Sequence, residues 1–319
     1  MGGLRFPRGA RQLTGPCWTT QQHFSRTISS RTLRVLLDLR GGKAVVTIQD
    51  TCQRLLLGGS LQDKLHAYTV EQLEDAPVAM QVPRAPFRDN NLRIVGGNDR
   101  LPGLKDLAGE DARRSCLHRF ANHELQAVEL MAWAVLAFPE MPLAWRRGLM
   151  SSIADEQRHM SLYLDRLAAL GGRFGDEALS GNFWTQASGI HNPMAFLCAM
   201  GLTFENANLD FTLLYGEAFR RVGATAEGQV MDRIHHDERG HVAWALSWVQ
   251  RLKRPEQTVL DAYQANTTFP LGLHRAKGRN CDVGSRRAVG LDDAFIAALK
   301  AARSPQEQFP RRKTGGGAD

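Results

Sequence analysis

One short phrase occurs twice in this chain, and it restricts the fold more than any other feature. Asp-Glu-x-x-His spans residues 155–159 and again residues 237–241. A lone glutamate in an apolar stretch precedes the glutamate of each copy, by 32 residues in the first case and 33 in the second; these are Glu124 and Glu205. A helical bundle that binds two metal ions uses one glutamate from each of two helices and a Glu-x-x-His from each of the other two. The pattern therefore predicts a four-helix bundle around a dimetal site.

The spacing inside each copy places two metal ligands on one side of a helix. Residues three apart lie on the same helical face, so the glutamate and histidine of one copy can reach one ion together. Carboxylates inside a bundle core are costly to bury unless cations neutralise them, and two divalent ions supply the charge that four carboxylates need. Mixed carboxylate and imidazole ligands suit iron, with manganese as the alternative and zinc still open. The predicted ligands are Glu124, Glu156, His159, Glu205, Glu238 and His241.

The repeat extends beyond the two copies and strengthens this interpretation. A single Glu-x-x-His is weak evidence, because solvated helix faces often carry one by chance. Here the acids and histidines of the two halves align at an offset of 81 or 82 residues. The aligned pairs are Glu124 with Glu205, Glu129 with Asp210, Asp155 with Asp237, Glu156 with Glu238, and His159 with His241. This pattern is typical of a duplicated helical hairpin, whose two copies would place the ligands around a common axis.

An aspartate stands directly before the glutamate of each copy. A metal-bound histidine usually donates its second ring N–H to a carboxylate or a carbonyl. We therefore expect Asp155 and Asp237 to accept from the histidine of the opposite hairpin. Arg158 and Arg239 are the expected cations beside these aspartates. The alternative is that both aspartates are ordinary surface charges next to a helical glutamate.

Other side chains near the repeat are weaker candidates for a functional role. Three histidines flank the predicted ligands and are either extra ligands or ordinary polar groups: His123, His235 and His236. Glu129 and Asp210 lie five residues after the lone glutamates, so they are the alternative ligands if the helical register differs. Among the aromatic residues, Tyr163 and Tyr215 are either core side chains or redox-active groups.

Capping and breaking residues divide the middle of the chain into four long helices. Prolines follow the first and fourth, and glycines follow the second and third. Asn192 and Pro193 suit the cap and the first turn of the third helix. The predicted helices cover residues 111–138, 143–170, 193–222 and 225–252. The connection 171–192 is much longer than the other two, which is the pattern of a ferritin-like bundle with one crossover.

The bundle defines a predicted domain at 105–255. Before it, residues 46–104 are expected to form a helical segment followed by an extended arm rich in proline, asparagine and glycine. After it, residues 256–319 are predicted to form a tail with one short helix at 291–302. The predicted fold class is therefore all-α: a four-helix bundle with one long crossover, an N-terminal helical arm and a C-terminal tail.

The first 45 residues differ from the rest of the chain in composition. They are rich in arginine, serine and threonine, and residues 1–40 contain seven arginines but a single aspartate. Such a segment is typical of an organellar transit peptide; the alternative is a disordered extension produced by an upstream start codon. Most of the net charge of +7 lies in this segment, so the remaining chain is close to neutral.

Composition argues against several classes of protein. The five cysteines are scattered without a Cys-x-x-Cys pair, which disfavours a zinc ribbon or a disulfide framework and fits a reducing compartment. The longest apolar run near a motif, residues 130–138, is far shorter than the roughly 20 residues that span a membrane. A near-neutral body gives little support for nucleic-acid binding. We expect a cytoplasmic protein, or a mitochondrial matrix protein if the source is eukaryotic and the extension is genuine.

Several segments together resemble an uncharacterised family of bacterial ferritin-like proteins. They are His-Glu-Leu-Gln-Ala-Val-Glu-Leu at 123–130 with the phrase at 155–159, Phe-Pro-Leu at 269–271, Lys-Gly at 277–278 and Ala-Val-Gly-Leu-Asp at 288–292. The resemblance covers about residues 47–300. That family is similar to the tRNA-hydroxylating di-iron proteins and, more distantly, to rubrerythrins. The resemblance implies a ferritin-like bundle with a di-iron centre and no particular substrate.

The predicted function is that of a non-haem di-iron carboxylate oxidoreductase of the hydroxylase or oxygenase type. It would use dioxygen or peroxide on a small organic substrate, with an electron donor, and the sequence identifies neither. The resemblance adds tRNA as a further partner class. Two alternatives stay open: an iron-handling or peroxide-scavenging protein, and a non-catalytic helical interaction module. A substrate-oxidising enzyme should show an apolar or mixed pocket that opens on the metal site.

Overall fold

The computed structural model describes residues 46–96 and 100–303, and this part of the chain is helical apart from connecting segments and two isolated β-bridges. The extension predicted at 1–45 lies outside the described residues. None of the described helices is both long enough and apolar enough to cross a membrane. In chain order the α-helices are α1 Ile48–Leu57, α2 Leu61–Lys64, α3 Glu110–Ala137, α4 Leu143–Ala169, α5 Asn182–Gln186, α6 Pro193–Ala199, α7 Asn206–Arg221, α8 Thr225–Leu252, α9 Val259–Asn266, α10 Val283–Ala288 and α11 Asp293–Ala301.

Four long helical segments form the bundle: α3, α4, the combined α6–α7 segment and α8. α3 packs along α4, and α7 packs along α8, which gives two hairpins. The hairpins join where α4 meets α8. Each predicted helix end agrees with the observed one to within a single residue. The all-α bundle with one long crossover is confirmed.

The third long segment is not a regular α-helix, because six residues between α6 and α7 form a π-helix. Gly201 allows this stretch to lie against α8, since a Cβ at that position would lie 2.1 Å from the Cβ of Ala245. Thr203 Oγ1 donates a 2.8 Å hydrogen bond to the carbonyl of Cys198, five residues earlier. π-Helical turns inside α-helices are frequent at functional sites. This one ends at the predicted ligand Glu205.

The ends of the long helices carry the capping residues that the sequence predicted. Asn192 caps α6 by accepting a 2.8 Å hydrogen bond from the amide of Ala195, and Pro193 occupies the first turn. Gly171 follows α4 with a φ of 74°, a left-handed conformation that favours glycine. The crossover that begins there contains the short helix α5. These local preferences explain where the first hairpin stops and where the second begins.

Segments on both sides of the bundle pack against it. α1 lies on α3 and begins with a capping box between Thr47 and Asp50. The tail holds α9, α10 and α11, whereas the sequence predicted only the last of these, at 291–302. α9 and α10 are short, and they depend on caps by Thr258 and Asp282 and on packing rather than on a long hydrophobic period. Periodicity alone therefore missed them.

A polar layer divides the hydrophobic core of the bundle into two clusters. One cluster contains Trp145, and the other surrounds Phe120 and Tyr163. On α4, Ile153 belongs to the first cluster and Met160 to the second, and the segment between them carries a copy of Asp-Glu-x-x-His. The same division occurs on α8. The predicted ligands therefore lie in the middle of the bundle, between two apolar layers.

Candidate metal centre

The six predicted ligand side chains meet in the polar layer of the bundle. All six are buried, with at most 5% of any of them exposed. Their ligand atoms form two overlapping groups, and within each group these atoms lie within 4.8 Å of one another. The smaller group holds Glu124, Glu156 and His159, and the larger group holds Glu156, Glu205, Glu238 and His241. Because Glu156 belongs to both groups, it would be a ligand of both ions if two were bound.

Each histidine turns one ring nitrogen toward the carboxylates of the cluster. His159 Nδ1 lies 3.3 Å from Glu156 Oε2. His241 Nδ1 lies 3.2 Å from Glu238 Oε2 and 3.0 Å from Glu156 Oε1, which comes from the other hairpin. The centroids of the two imidazole rings are 6.0 Å apart. In both histidines, Nδ1 is therefore the nitrogen that faces the candidate metal positions.

The second ring nitrogen of each histidine faces an aspartate of the opposite hairpin. His159 Nε2 lies 3.3 Å from Asp237 Oδ2. His241 Nε2 lies 3.1 Å from Asp155 Oδ2. A carboxylate at this position fixes the ring orientation and keeps the proton on Nε2, which leaves the Nδ1 lone pair for a metal ion. The two aspartates therefore tie the hairpins together through the histidines.

The cations beside the two aspartates differ from the sequence prediction in one hairpin. Arg158 pairs with Asp155. Asp237 pairs with Arg233, with 3.0 Å between Nε and Oδ2, so the prediction of Arg239 is wrong. Residues four apart face each other on a helix, and residues two apart do not, which explains the choice. Arg239 Nη2 lies 2.9 Å from a histidine nitrogen on the exposed side of α8 instead.

The two lone glutamates have no lysine or arginine partner among the described residues, and their pKa values are raised. Burial, followed by the charge of Glu156, raises the pKa of Glu124 well above its ordinary value. Burial, followed by the charge of Glu238, does the same to the pKa of Glu205. Without cations, the carboxyl groups of the cluster therefore resist full ionisation.

Glu156 and the two histidines shift each other's pKa values in opposite directions. Burial alone raises the pKa of Glu156, but His159 and His241 outweigh burial, and the pKa lies well below its ordinary value. Burial lowers the pKa of His159, but Glu156 and Asp237 outweigh it and raise the pKa to about 9. Protonated imidazoles thus take the place of metal ions in the metal-free cluster.

The donor set of the cluster fits two metal ions. Glu205 Oε1 is buried and accepts no hydrogen bond from the described residues. Buried polar atoms without partners are uncommon, and an ion is one of the explanations for them. Four carboxylates with two imidazoles are the ligands that iron and manganese prefer, since thiolates are absent from both groups.

Two features of this site were not predicted. Asn208 Nδ2 donates a 3.0 Å hydrogen bond to Glu238 Oε1, and Ala127 stands at the equivalent place in the first hairpin, so the two halves of the site differ. Asn208 follows Glu205 by three residues and thus shares its helical face, which was an available signal. The π-helix that presents Glu205 has no recognisable signal in the sequence.

The alternative ligands Glu129 and Asp210 lie outside both groups of ligand atoms. Glu129 forms buried ion pairs with Lys64 at 3.0 Å and with Arg88 at 2.7 Å. Asp210 forms a buried ion pair with Arg286 at 2.7 Å. Because the chain itself supplies cations to these two carboxylates, they have no need of a metal ion.

The three flanking histidines also lie outside the ligand groups. His123 stacks on a neighbouring phenylalanine ring. His235 is hydrogen-bonded through its two ring nitrogens to the hydroxyls of Thr212 and Ser285. His236 is exposed on α8. None of the three faces the cluster in the way that the two ligand histidines do.

The two tyrosines considered as redox-active groups pack in the apolar layer next to the cluster. Tyr163 stacks on Phe120, with 5.3 Å between ring centroids, and its hydroxyl lies 3.6 Å from Met231 Sδ. Tyr215 contacts Phe120 edge-on at 5.0 Å. Burial raises the pKa of both phenols, and the charge of the nearby lone glutamate adds to the effect at Tyr163. A redox role for either tyrosine stays a prediction.

A cavity that touches the cluster is small and mainly apolar. It has a volume of about 10 Å³ and reaches Glu205 and His241. Its walls include Met131, Phe196 and Trp244. This is about the room that one water molecule occupies, so the cavity admits a very small molecule rather than an organic substrate. A groove of about 620 Å³ lies elsewhere, along α7, and none of the six ligands lines it.

Comparisons with known proteins give one match. The sequence profile of a family described as "protein of unknown function (DUF455)" matches residues 49–297. Neither the curated proteins nor the solved structures include a match to the chain. The family match confirms the predicted resemblance to an uncharacterised family, with nearly the expected extent. Because it covers most of the chain, the protein belongs to the DUF455 family.

Proposed function

We propose that this protein is a non-haem di-iron carboxylate oxidoreductase of the ferritin-like type that uses dioxygen or peroxide. The observation that carries the proposal is the convergence of four buried carboxylates and two imidazoles in two groups that share Glu156. Bound iron ions would supply the redox chemistry, because iron in such non-haem sites reacts with dioxygen and peroxide. Two ions would also neutralise the carboxylates that the chain leaves without cations.

The residues around the cluster hold its two halves together, orient the histidine rings and keep water out. Glu156 holds the two halves together, since its oxygens reach a histidine of each hairpin. Asp155 and Asp237 hold the histidine rings in one orientation. Asn208 fixes one oxygen of Glu238 and leaves the other toward the cluster. The apolar layers on both sides keep water from the site, which strengthens every electrostatic interaction inside it.

Anaerobic loading with ferrous iron, followed by exposure to dioxygen, tests this proposal. We expect two iron ions per chain and a change in the visible absorption spectrum on adding dioxygen. Glu156→Ala should lose iron binding and the spectral change. Glu227→Ala is the matched control, because Glu227 is a buried glutamate of α8 that pairs with Arg166 away from the cluster. Unchanged iron content and reactivity in Glu156→Ala would contradict the proposal.

A second candidate function is removal of peroxide without an organic substrate. The size of the cavity beside Glu205 and His241 favours it, because about 10 Å³ suits a very small oxidant. A hydroxylase would have to open this region to admit an organic molecule. Oxygen-18 labelling separates the two functions: a hydroxylase transfers the label from dioxygen into an organic product. A scavenger consumes added peroxide with a reductant and leaves the label in water alone.

A further inference from the structure

Two arginines from outside the bundle reach into its core. Arg88 lies in the connection between α2 and α3, and Arg286 lies in α10. Both are buried, at 5% and 0% exposure. Each binds a carboxylate five residues after a lone glutamate, namely Glu129 and Asp210. The two halves of the repeat are thus held in matching ways by segments that are themselves unrelated in sequence.

Arg286 holds the backbone beside the second lone glutamate. Its guanidinium binds both oxygens of Asp210, at 2.7 and 3.0 Å. The same group donates a 2.8 Å hydrogen bond to the carbonyl of Asn206, the residue that directly follows Glu205 at the end of the π-helix. Planar guanidinium groups hold carboxylates in a fixed geometry through two parallel bonds. Arg286 therefore fixes the turn that presents Glu205.

A second tail residue supports the same π-helix at an earlier point. The hydroxyl of Tyr263, in α9, lies 2.7 Å from Thr203 Oγ1. Thr203 Oγ1 in turn donates to the carbonyl of Cys198, at the end of α6. The tail therefore contacts the chain on both sides of Glu205.

Arg88 holds the first lone glutamate in a similar but less direct manner. Its Nε and Nη2 donate to the two oxygens of Glu129, at 2.9 and 2.7 Å. Its Nη1 lies 3.3 Å from the side-chain oxygen of Asn122, two residues before Glu124. Lys64 adds a third buried cation contact on Glu129. These contacts fix the rotation of α3 about its axis and its position along that axis near Glu124.

Helical geometry makes this placement important for metal binding. One residue of slip along a helix turns each side chain by about 100° and moves it by about 1.5 Å. A buried carboxylate locked to an arginine five residues away prevents such a slip. Buried ion pairs often add little stability compared with apolar side chains of the same volume, and fixing register is the best-attested use of such buried polar groups. The ion pairs Arg88–Glu129 and Arg286–Asp210 are therefore better explained by a role in placing the ligand glutamates than by a contribution to stability.

We propose that Arg88 and Arg286 are positioning residues of the dimetal site, Arg88 for Glu124 and Arg286 for Glu205. This inference rests on the proposed function, because it assumes that the cluster binds two ions. The two groups of ligand atoms make the roles separable. Arg88 acts on the group that contains Glu124, and Arg286 acts on the group that contains Glu205. The effect of Arg286 is the larger, because it binds the backbone next to the ligand.

Titration of the full chain with Co²⁺, followed by visible absorption, tests the two roles. Arg286→Lys should weaken the binding of one ion by about 10- to 100-fold, the range found for residues that orient ligands, and leave the other ion unchanged. The absorption bands that it loses should be those lost in Glu205→Ala. Arg88→Lys should weaken the other ion and lose the bands that are lost in Glu124→Ala.

Arg146→Lys is the matched control, because Arg146 is also buried and binds a carboxylate and two carbonyls, but away from the cluster. It should change the unfolding midpoint without changing either Co²⁺ affinity. The double variant Asp210→Asn/Arg286→Met removes both charges and keeps a side-chain acceptor for the backbone amides of Gly278 and Asp282. It should therefore fold, bind one ion weakly and bind the other with wild-type affinity. Equal weakening of both ions, or wild-type affinity in the folded variants, overturns the positioning roles. Failure of both Arg286 variants to fold also overturns them, because the pair then serves stability. A wild-type chain that binds no pair of ions overturns the proposed function itself.

Discussion

Two sets of buried carboxylates lie on the same two helical segments: the lone glutamates Glu124 and Glu205, and, five residues after each, Glu129 and Asp210. The charges of the two sets are neutralised in different ways. Glu129 and Asp210 are neutralised inside the chain by Lys64, Arg88 and Arg286. The lone glutamates Glu124 and Glu205 have no lysine or arginine partner among the described residues, and like charges of the cluster surround them instead. Glu129 and Asp210 behave as part of the fold, and the lone glutamates behave as part of a binding site.

This difference supports the proposed metal centre more firmly than burial or acidity alone would. All of these carboxyl groups are buried, so burial does not separate the sets. Arg88 and Lys64 outweigh the effect of burial on Glu129 and lower its pKa, whereas burial and like charges raise the pKa of Glu124. A buried carboxylate without a lysine or arginine partner is the kind of group that a bound metal ion would neutralise.

The largest expected effect is on stability in the metal-free protein, and it differs between the two sets. Glu129→Gln should cost about 3–5 kcal/mol, because it leaves Lys64 and Arg88 buried without a counter-charge. Glu205→Gln should cost less than about 1 kcal/mol, because it removes a carboxylate that is repelled by its neighbours. Urea unfolding of both variants measures the difference. Equal costs would remove the distinction between the sets.

Added metal ions should stabilise the folded protein only when the ligand cluster is intact. A ligand that binds only the folded state at 100 times its dissociation constant adds about 2.7 kcal/mol of stability. We expect manganese or ferrous iron to raise the unfolding midpoint of the wild type and of any Glu129→Gln that folds. Glu156→Ala should show no such rise, since Glu156 belongs to both ligand groups. A rise in Glu156→Ala equal to that of the wild type would place the metal ions elsewhere.

A smaller effect is expected at the aspartates that orient the histidines. Asp237→Asn and Asp155→Asn should each lower metal affinity by about 10- to 100-fold. The loss should be greater for Asp237, whose side chain is 10% exposed, than for Asp155, at 26%. Isothermal titration with Mn²⁺ measures both. Asp232→Asn, on the exposed face of α8, is the control and should leave the affinity unchanged.

The smallest effect is the dependence of stability on pH that Glu129 contributes. The pKa of Glu129 is lower in the folded protein than its ordinary value of about 4.3, so its ion pairs stabilise the fold above that pH. This contribution is lost as the pH falls through the lowered folded value. The stability gap between wild type and Glu129→Gln should thus be constant near neutrality and shrink in acid. A gap that stays constant down to pH 3 would show that the ionised carboxylate is not the source.

The four long bundle helices, their ends and the six candidate ligands were accessible from the sequence because each depends on local or periodic rules. Asn192, Pro193 and Gly171 act within their own helix ends, so their role is visible in the chain itself. The ligand spacing is equally local, since three residues on a helix define one face. The doubled phrase then related the two hairpins to each other.

The positioning contacts were not accessible, because they join distant segments. Arg88 and Glu129 are 41 residues apart, and Arg286 and Asp210 are 76 apart, with no periodic pattern between them. The π-helix before α7 depends on close packing of Gly201 against α8, which only the folded chain reveals. The mistaken assignment of Arg239 arose from choosing the nearest cation in sequence instead of the one on the same helical face.

Anomalous diffraction at the iron edge from crystals loaded with ferrous iron tests the central claim most directly. We expect two peaks about 3.5–4 Å apart, the usual separation in two-metal sites, with Glu156 between them. Their nearest protein nitrogens should be Nδ1 of His159 and Nδ1 of His241. A fully loaded crystal with no pair of peaks in the polar layer, or with iron bound only outside it, would contradict the account.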